Sequence, residues 1–183
     1  GTAWRDYQGD EFMACGVFDF ILRLPPVPKT GTYELRFGTS HNELRGMAQL
    51  YLGDDPNNLQ PAGLPYDMRQ SVTDNDNIGF VADGNDENVN AENDRNMRNH
   101  GFMKAPRYAM LPDGSGTSTV LRRVESSTGC LRRIIAQQTF EKGKTYYLRF
   151  KSALEKNDAQ FFLDYFEFCP AEVYNGTTPE DQW

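Results

Sequence analysis

A serine and a histidine stand side by side in Gly38-Thr39-Ser40-His41-Asn42, at the end of a strand-like run. The segment begins like the turn that exposes a nucleophilic serine, but the second glycine and the following apolar helix of that motif are missing. Adjacency in sequence supplies neither the spatial base nor the orienting acid of a triad. The favoured reading is therefore a turn between Phe37 and Met47. His100, the other of two histidines, falls at the end of an expected helix, where an imidazole suits the helix dipole. Cys15, Cys130 and Cys169 form no C-x-x-C pair and read as small buried side chains rather than zinc ligands. A Cys15 to Cys169 bridge is the one credible disulfide, and none is expected to be obligatory. The 26 carboxylates offer a glycosidase-type pair only by arbitrary choice. No catalytic residue is assigned, and the chain is expected not to be an enzyme.

Binding chemistry is better represented. Asp74-Asn75-Asp76-Asn77 and Asp83-Gly84-Asn85-Asp86-Glu87-Asn88 carry the hard oxygen donors that calcium prefers, without the ligand order of an EF-hand. They read first as solvated acidic loop, with at most one structural calcium. Gly114-Ser115-Gly116 lacks the Lys-Ser/Thr of a phosphate loop and reads as a turn. A sugar presents flat apolar faces ringed by hydroxyls, which call for an aromatic platform beside planar polar groups. Tyr66, Arg69, Arg107 and Tyr108 have those types, lie between strand-like runs, and are the candidate ligand-binding residues. The competing reading has Tyr66 and Tyr108 packing the base of the excursion between them, with the two arginines neutralising its carboxylates.

The elements that must position these groups are mostly strands. Period-2 alternation marks Phe18 to Leu24, Thr32 to Phe37, Met47 to Leu52, Thr119 to Val124, Leu131 to Phe140, Thr145 to Phe150 and Phe161 to Phe168. Turn chemistry such as Gly53-Asp54-Asp55-Pro56 separates them. About seven or more short strands of this kind predict an all-β sandwich or jelly roll. Residues 1–183 are expected to form one domain with an insertion at 70–105. Within it, Gln70 to Asn99 holds five Asp and two Glu against two Arg, a net of −5 out of −7 for the whole chain. Its first half reads as a loop. Its second half reads as a short helix with Asn90 as N-cap, Arg98 near the end and Gly101 as stop. The acidic balance argues against nucleic-acid and anionic-membrane partners. No apolar run reaches the ~18 residues of a membrane span, and the residues from Gly1 onward lack the pattern of a signal peptide, so any export signal is expected to lie outside this sequence.

Several strings resemble the C-terminal β-rich domain of Bacteroidetes fasciclin-type surface lipoproteins. They include Gln8-Gly9-Asp10-Glu11-Phe12, Gly16-Val17-Phe18-Asp19-Phe20, Leu24-Pro25-Pro26-Val27-Pro28, Gly31-Thr32-Tyr33-Glu34-Leu35-Arg36 and Gly63-Leu64-Pro65-Tyr66-Asp67-Met68. Met97-Arg98-Asn99-His100-Gly101-Phe102 and Tyr146-Tyr147-Leu148-Arg149-Phe150-Lys151 extend the likeness. The closing Leu163-Asp164-Tyr165-Phe166-Glu167-Phe168 is similar to the last strand of galactose-binding-like jelly rolls, including family 6 carbohydrate-binding modules. The resemblance implies a galactose-binding-like fold, no catalytic residue, and a structural calcium near the first and last strands, which would involve Asp164 and Glu11. It also implies an outer-membrane lipoprotein of the cell envelope, with a fasciclin or other domain elsewhere in the parent chain. The expected function is non-catalytic binding of a glycan; the alternative is a structural or adhesion module that contacts a neighbouring domain or a cell-surface protein.

Overall fold

The computed structural model describes residues 12–71, 74–81, 87–105, 108–112, 119–123 and 130–176. Among these the elements run β1 (Phe12–Cys15), β2 (Asp19–Arg23), β3 (Gly31–Ser40), β4 (Met47–Gly53), β5 (Gln60–Pro61) and β6 (Tyr66–Asp67). Two helices follow, α1 (Asn75–Ile78) and α2 (Glu87–Asn99). Then come β7 (Phe102–Lys104), β8 (Tyr108–Pro112), β9 (Thr119–Arg123), β10 (Cys130–Phe140), β11 (Tyr147–Ser152), β12 (Gln160–Leu163), β13 (Phe166–Pro170) and a 3-10 turn at Ala171–Val173.

The fold is an all-β sandwich. One sheet has the order β2-β11-β4-β5, with β6 also paired to β4; the other has the order β13-β3-β10-β7. Because side chains alternate across a strand, Leu50 and Leu52 on β4 and Leu148 and Phe150 on β11 all enter the core. Tyr33, Leu35 and Phe37 of β3 meet them from the opposite sheet. Phe37 lies 5.8 Å from Phe150 and 6.2 Å from Phe161, and Phe150 and Phe161 are 5.0 Å apart. Such ring pairs add about 0.5–1.5 kcal/mol each beyond the area they bury. β1 pairs with β12, and β8 pairs with β9, each as a two-stranded antiparallel ribbon.

Several expectations are corrected. β3 does not turn after Phe37 but runs on to Ser40, paired with β10 as far as Cys130. The run Phe161 to Phe168 is two strands, with β12 pairing β1 and β13 pairing β3. The break comes where the Tyr165 ring crosses β3 at Gly38; a Cβ there would lie 2.4 Å from the ring, so only glycine fits. Within 70–105, described residues pack onto the sandwich. β7 pairs with β10, and Ile78 and Met97 are fully buried in the core. The expected loop includes α1, whose N-cap Asp74 accepts from the Asn77 amide and which ends on Gly79 at φ 82°. α2 begins at Glu87, so Asn90 lies inside it; the stop at Gly101, with φ 79°, is as expected. Cys15 and Cys169 are free thiols, as expected, but Cys15 is exposed rather than buried.

Candidate functional site

β6 continues the inward alternation of β4, with Tyr66 opposite Ala48. Tyr66 is therefore only 3% exposed. Its ring meets Phe37 edge-on at 5.6 Å and Phe102 at 5.9 Å. The His41 Nδ1 lies 3.0 Å from the Gln70 carbonyl, which can only accept, so Nδ1 carries the proton. Nε2 then accepts from the Tyr66 hydroxyl. Burial pushes the His41 pKa down to about 4 and the Tyr66 phenol well above its usual range, so both are neutral at pH 7. Over this pair sits the Arg133 guanidinium, 4.7 Å from the Phe102 centroid and 5.3 Å from that of Tyr66. Its Nη1 donates to the carbonyls of His100 and Gly101 at 2.8 and 3.0 Å, which ties it to the C-terminal end of α2. Ser40 does not join the His41 network; its hydroxyl accepts from Arg45 Nε and Nη2 at 3.1 and 2.8 Å.

Of the other sequence candidates, the structure describes the side chains of Arg69 and Asp164. Arg69 is exposed and forks onto Asp67, with Nε to Oδ1 at 2.8 Å and Nη2 to Oδ2 at 2.6 Å. That contact holds the Asp67 carboxyl below, and the Arg69 guanidinium above, their ordinary ranges. Tyr66 and Arg69 thus share a segment but not a surface, one facing the core and the other solvent. Tyr108 opens β8, but its side chain lies outside the described structure. Arg107 and Glu11 lie outside the described residues. Asp164 sits half-buried between β12 and β13, its amide donating to the Gly38 carbonyl at 2.9 Å. Among the described residues no group of three His, Cys, Asp or Glu side chains converges on a metal position. The Asp74 carboxylate is taken up in capping α1, where it accepts from the Asn77 amide and side chain.

Aromatic and charged side chains also share the solvent side of a sheet. Residues out of phase with Leu148 and Phe150 turn outward: Tyr147, Arg149 and Lys151 on β11, flanked by Asp19, Ile21 and Arg23 on β2 and by Gln49 and Tyr51 on β4. Arg149 makes a two-pronged contact with Asp19, both bonds 2.6 Å, and its guanidinium lies 5.5 Å from the Tyr51 ring. The same contact lowers the Asp19 pKa and raises that of Arg149. Tyr147 stands opposite Gly53, so β4 places no side chain directly across from the ring. Tyr51 and Tyr147 are diagonal neighbours, about 7–8 Å apart. Asp67 on β6 is opposite Met47, and Arg69 reaches the Met47 sulfur at 3.4 Å, so the Arg69–Asp67 fork extends this face. The signal was present in the sequence as the odd-numbered half of the β11 alternation.

The outer side of the other sheet is built differently. Glu34 accepts from Arg36 Nε and Nη2 at 2.9 and 2.5 Å, and from Arg98 of α2. Glu167 accepts from Arg36 and Arg132, each at 3.3 Å. Arg98 lies 3.8 Å from the Tyr174 ring centroid, so this charged network is covered by α2 and by the residues after β13. No protein-family model matches the chain and no curated protein matches it, so its surface chemistry carries the functional argument.

Proposed function

We propose that this chain is a non-catalytic carbohydrate-binding module that works through the outer face of β2, β11, β4 and β6. The observation that carries the reading is the combination of Tyr51 and Tyr147 with two arginine–carboxylate forks, Arg149–Asp19 and Arg69–Asp67, on one solvent-facing surface. The rings supply stacking area at small entropic cost, and the forks hold planar donors and acceptors in place for sugar hydroxyls. Of the residues singled out in the sequence, Arg69 belongs to this site. A bacterial cell-envelope setting, beside a fasciclin or other domain of an outer-membrane lipoprotein, is proposed on the family resemblance of the sequence.

The test is a glycan array followed by titration of the best ligand. The wild-type chain is expected to bind saturably, and Tyr51→Ala and Tyr147→Ala to weaken binding at least about tenfold, roughly 1.4 kcal/mol. Because both rings are on a solvent-facing surface, stability should fall by about 1 kcal/mol or less. Failure of the wild type to bind any glycan defeats the proposal. A second reading, a structural or adhesion module, is favoured by the apolar side chains around β1: Phe12, Met13 and Val17 are 50%, 49% and 61% exposed. Among the described residues β1 pairs with β12 alone, and exposed apolar side chains around such a strand suit contact with a neighbouring protein.

A further inference from the structure

Four cations, Arg23, Arg69, Arg149 and Lys151, share the outer sheet face with two carboxylates, Asp19 and Asp67. The whole chain carries a net charge of −7, so this face runs against the sign of the molecule. Each of its carboxylates is already held by an arginine through two bonds. Their pKa values are held below the ordinary range by those contacts, so they stay ionised and paired at neutral pH. Arg23 and Lys151 are exposed and form no salt bridge among the described residues, although Lys151 stands opposite Asp19 and its charge adds to the pull on that carboxyl. They flank the aromatic stretch. Arg23 is opposite Tyr147, and Lys151 lies four residues further along β11, a separation of about 13 Å along the strand.

Resting on the carbohydrate reading, we infer that the ligand of this face is an acidic polysaccharide whose sugar units carry carboxylates. These two cations on either side of a stacking surface fit an anionic polymer whose charges are spaced along its length. The guanidinium of Arg23 presents the planar fork that matches a carboxylate. The remainder of the chain, being acidic, repels a polyanion and confines it to this patch. Nucleic acid fits less well, because one charge per ~1.7 Å of duplex exceeds what these two cations neutralise against a surrounding negative field.

The experiment is calorimetric titration of the full chain with polygalacturonate, alginate and hyaluronan, with the same polymers methyl-esterified, a neutral xylan and dextran sulfate as comparators. At least one carboxylate polymer should bind saturably, and its esterified form should bind at least about tenfold more weakly. Affinity should fall as salt is raised. The double variant Arg23→Ala/Lys151→Ala should lose at least about tenfold in affinity while melting at the wild-type temperature. Binding of neutral glycans from the array with no preference for carboxylate polymers overturns this inference and leaves the carbohydrate reading standing. No binding to any glycan defeats both. Dextran sulfate bound as tightly as the carboxylates means attraction by charge without carboxylate recognition, and also overturns it.

Discussion

His41 stays neutral because burial disfavours a charge there and the Arg133 and Arg45 guanidiniums repel one, which together outweigh the Gln70 carbonyl that accepts from Nδ1 and the Asp67 carboxylate, both of which favour the charged ring. In the unfolded chain the same imidazole titrates near 6.5. With a folded pKa of about 4, the unfolded state binds more protons throughout the interval between the two values. The stabilisation is therefore complete above about pH 6.5 and is lost as the pH falls toward 4, by about 3 kcal/mol in all. Urea unfolding at pH 7 and pH 4.5 should show most of that loss in the wild type, and His41→Gln should flatten the dependence across this window. Equal wild-type stability at the two pH values would defeat the assignment. Asp67 and Asp19, with depressed pKa values, contribute stability that is lost only at lower pH, as the pH falls below the ordinary carboxylate value. Neither His41 nor Tyr66 shows its environment in the sequence, because the Gln70 carbonyl and Phe102 reach them from later segments of the chain.

At the scale of elements, α1 is four residues long, too short to be stable by itself. Tertiary packing makes it: Asp74 caps its start, Gly79 ends it, and Ile78 enters the core with no exposed surface. Composition over residues 74–81 reads as loop because four consecutive Asp and Asn residues precede the two side chains, Ile78 and Phe80, that pack on the core. Ile78→Ala is accordingly expected to cost about 2–5 kcal/mol, measured by the shift of the denaturant midpoint. A cost under about 0.5 kcal/mol, the usual range for surface positions, would restore the loop reading. The second half of the segment was more legible, since α2 is long enough for its C-terminal signals, Arg98 and Gly101, to register. What could not be read there was the role of the stop. A Cβ at Gly101 would lie 2.2 Å from Arg133 Nη1, so the same glycine leaves room for the guanidinium that binds the helix end.

In the molecule as a whole, the two sheets share one aromatic core rather than each having its own. Phe150 of one sheet contacts Phe37 and Phe166 of the other, and Phe161 of β12 packs against both Phe37 and Phe150. Removing one of these rings should weaken both sheets together. Phe150→Ala is expected to lower stability by about 3–5 kcal/mol while unfolding remains a single transition, with near-UV and far-UV circular dichroism curves that coincide. Two separated transitions, in either the wild type or the variant, would show that the sheets unfold independently. The molecule's polar groups divide in a corresponding way. One outer face is left to solvent, with Tyr51, Tyr147 and Arg149, whereas the other is a charged network roofed by α2 and Tyr174.

The alternation of apolar and polar residues by itself determined that this is a β protein, where most of its long strands lie, and which of their side chains are core. That pattern is local, because a strand's two faces are set by the pleat of the backbone. It does not say what covers the polar face. Glu34 and Arg36 on β3 alternate with core residues just as Arg149 and Lys151 do on β11, yet Glu34 and Arg36 are buried under Arg98 of α2 and beside Glu167 of β13, while Lys151 is exposed. The same limit decided the site: Tyr66 and Arg69 read as neighbours in a loop, and pairing of β6 with β4 sent one into the core and the other to solvent. Pairing between segments distant in the chain sets strand register and neighbours, and a shift of one residue in either exchanges the buried and exposed faces.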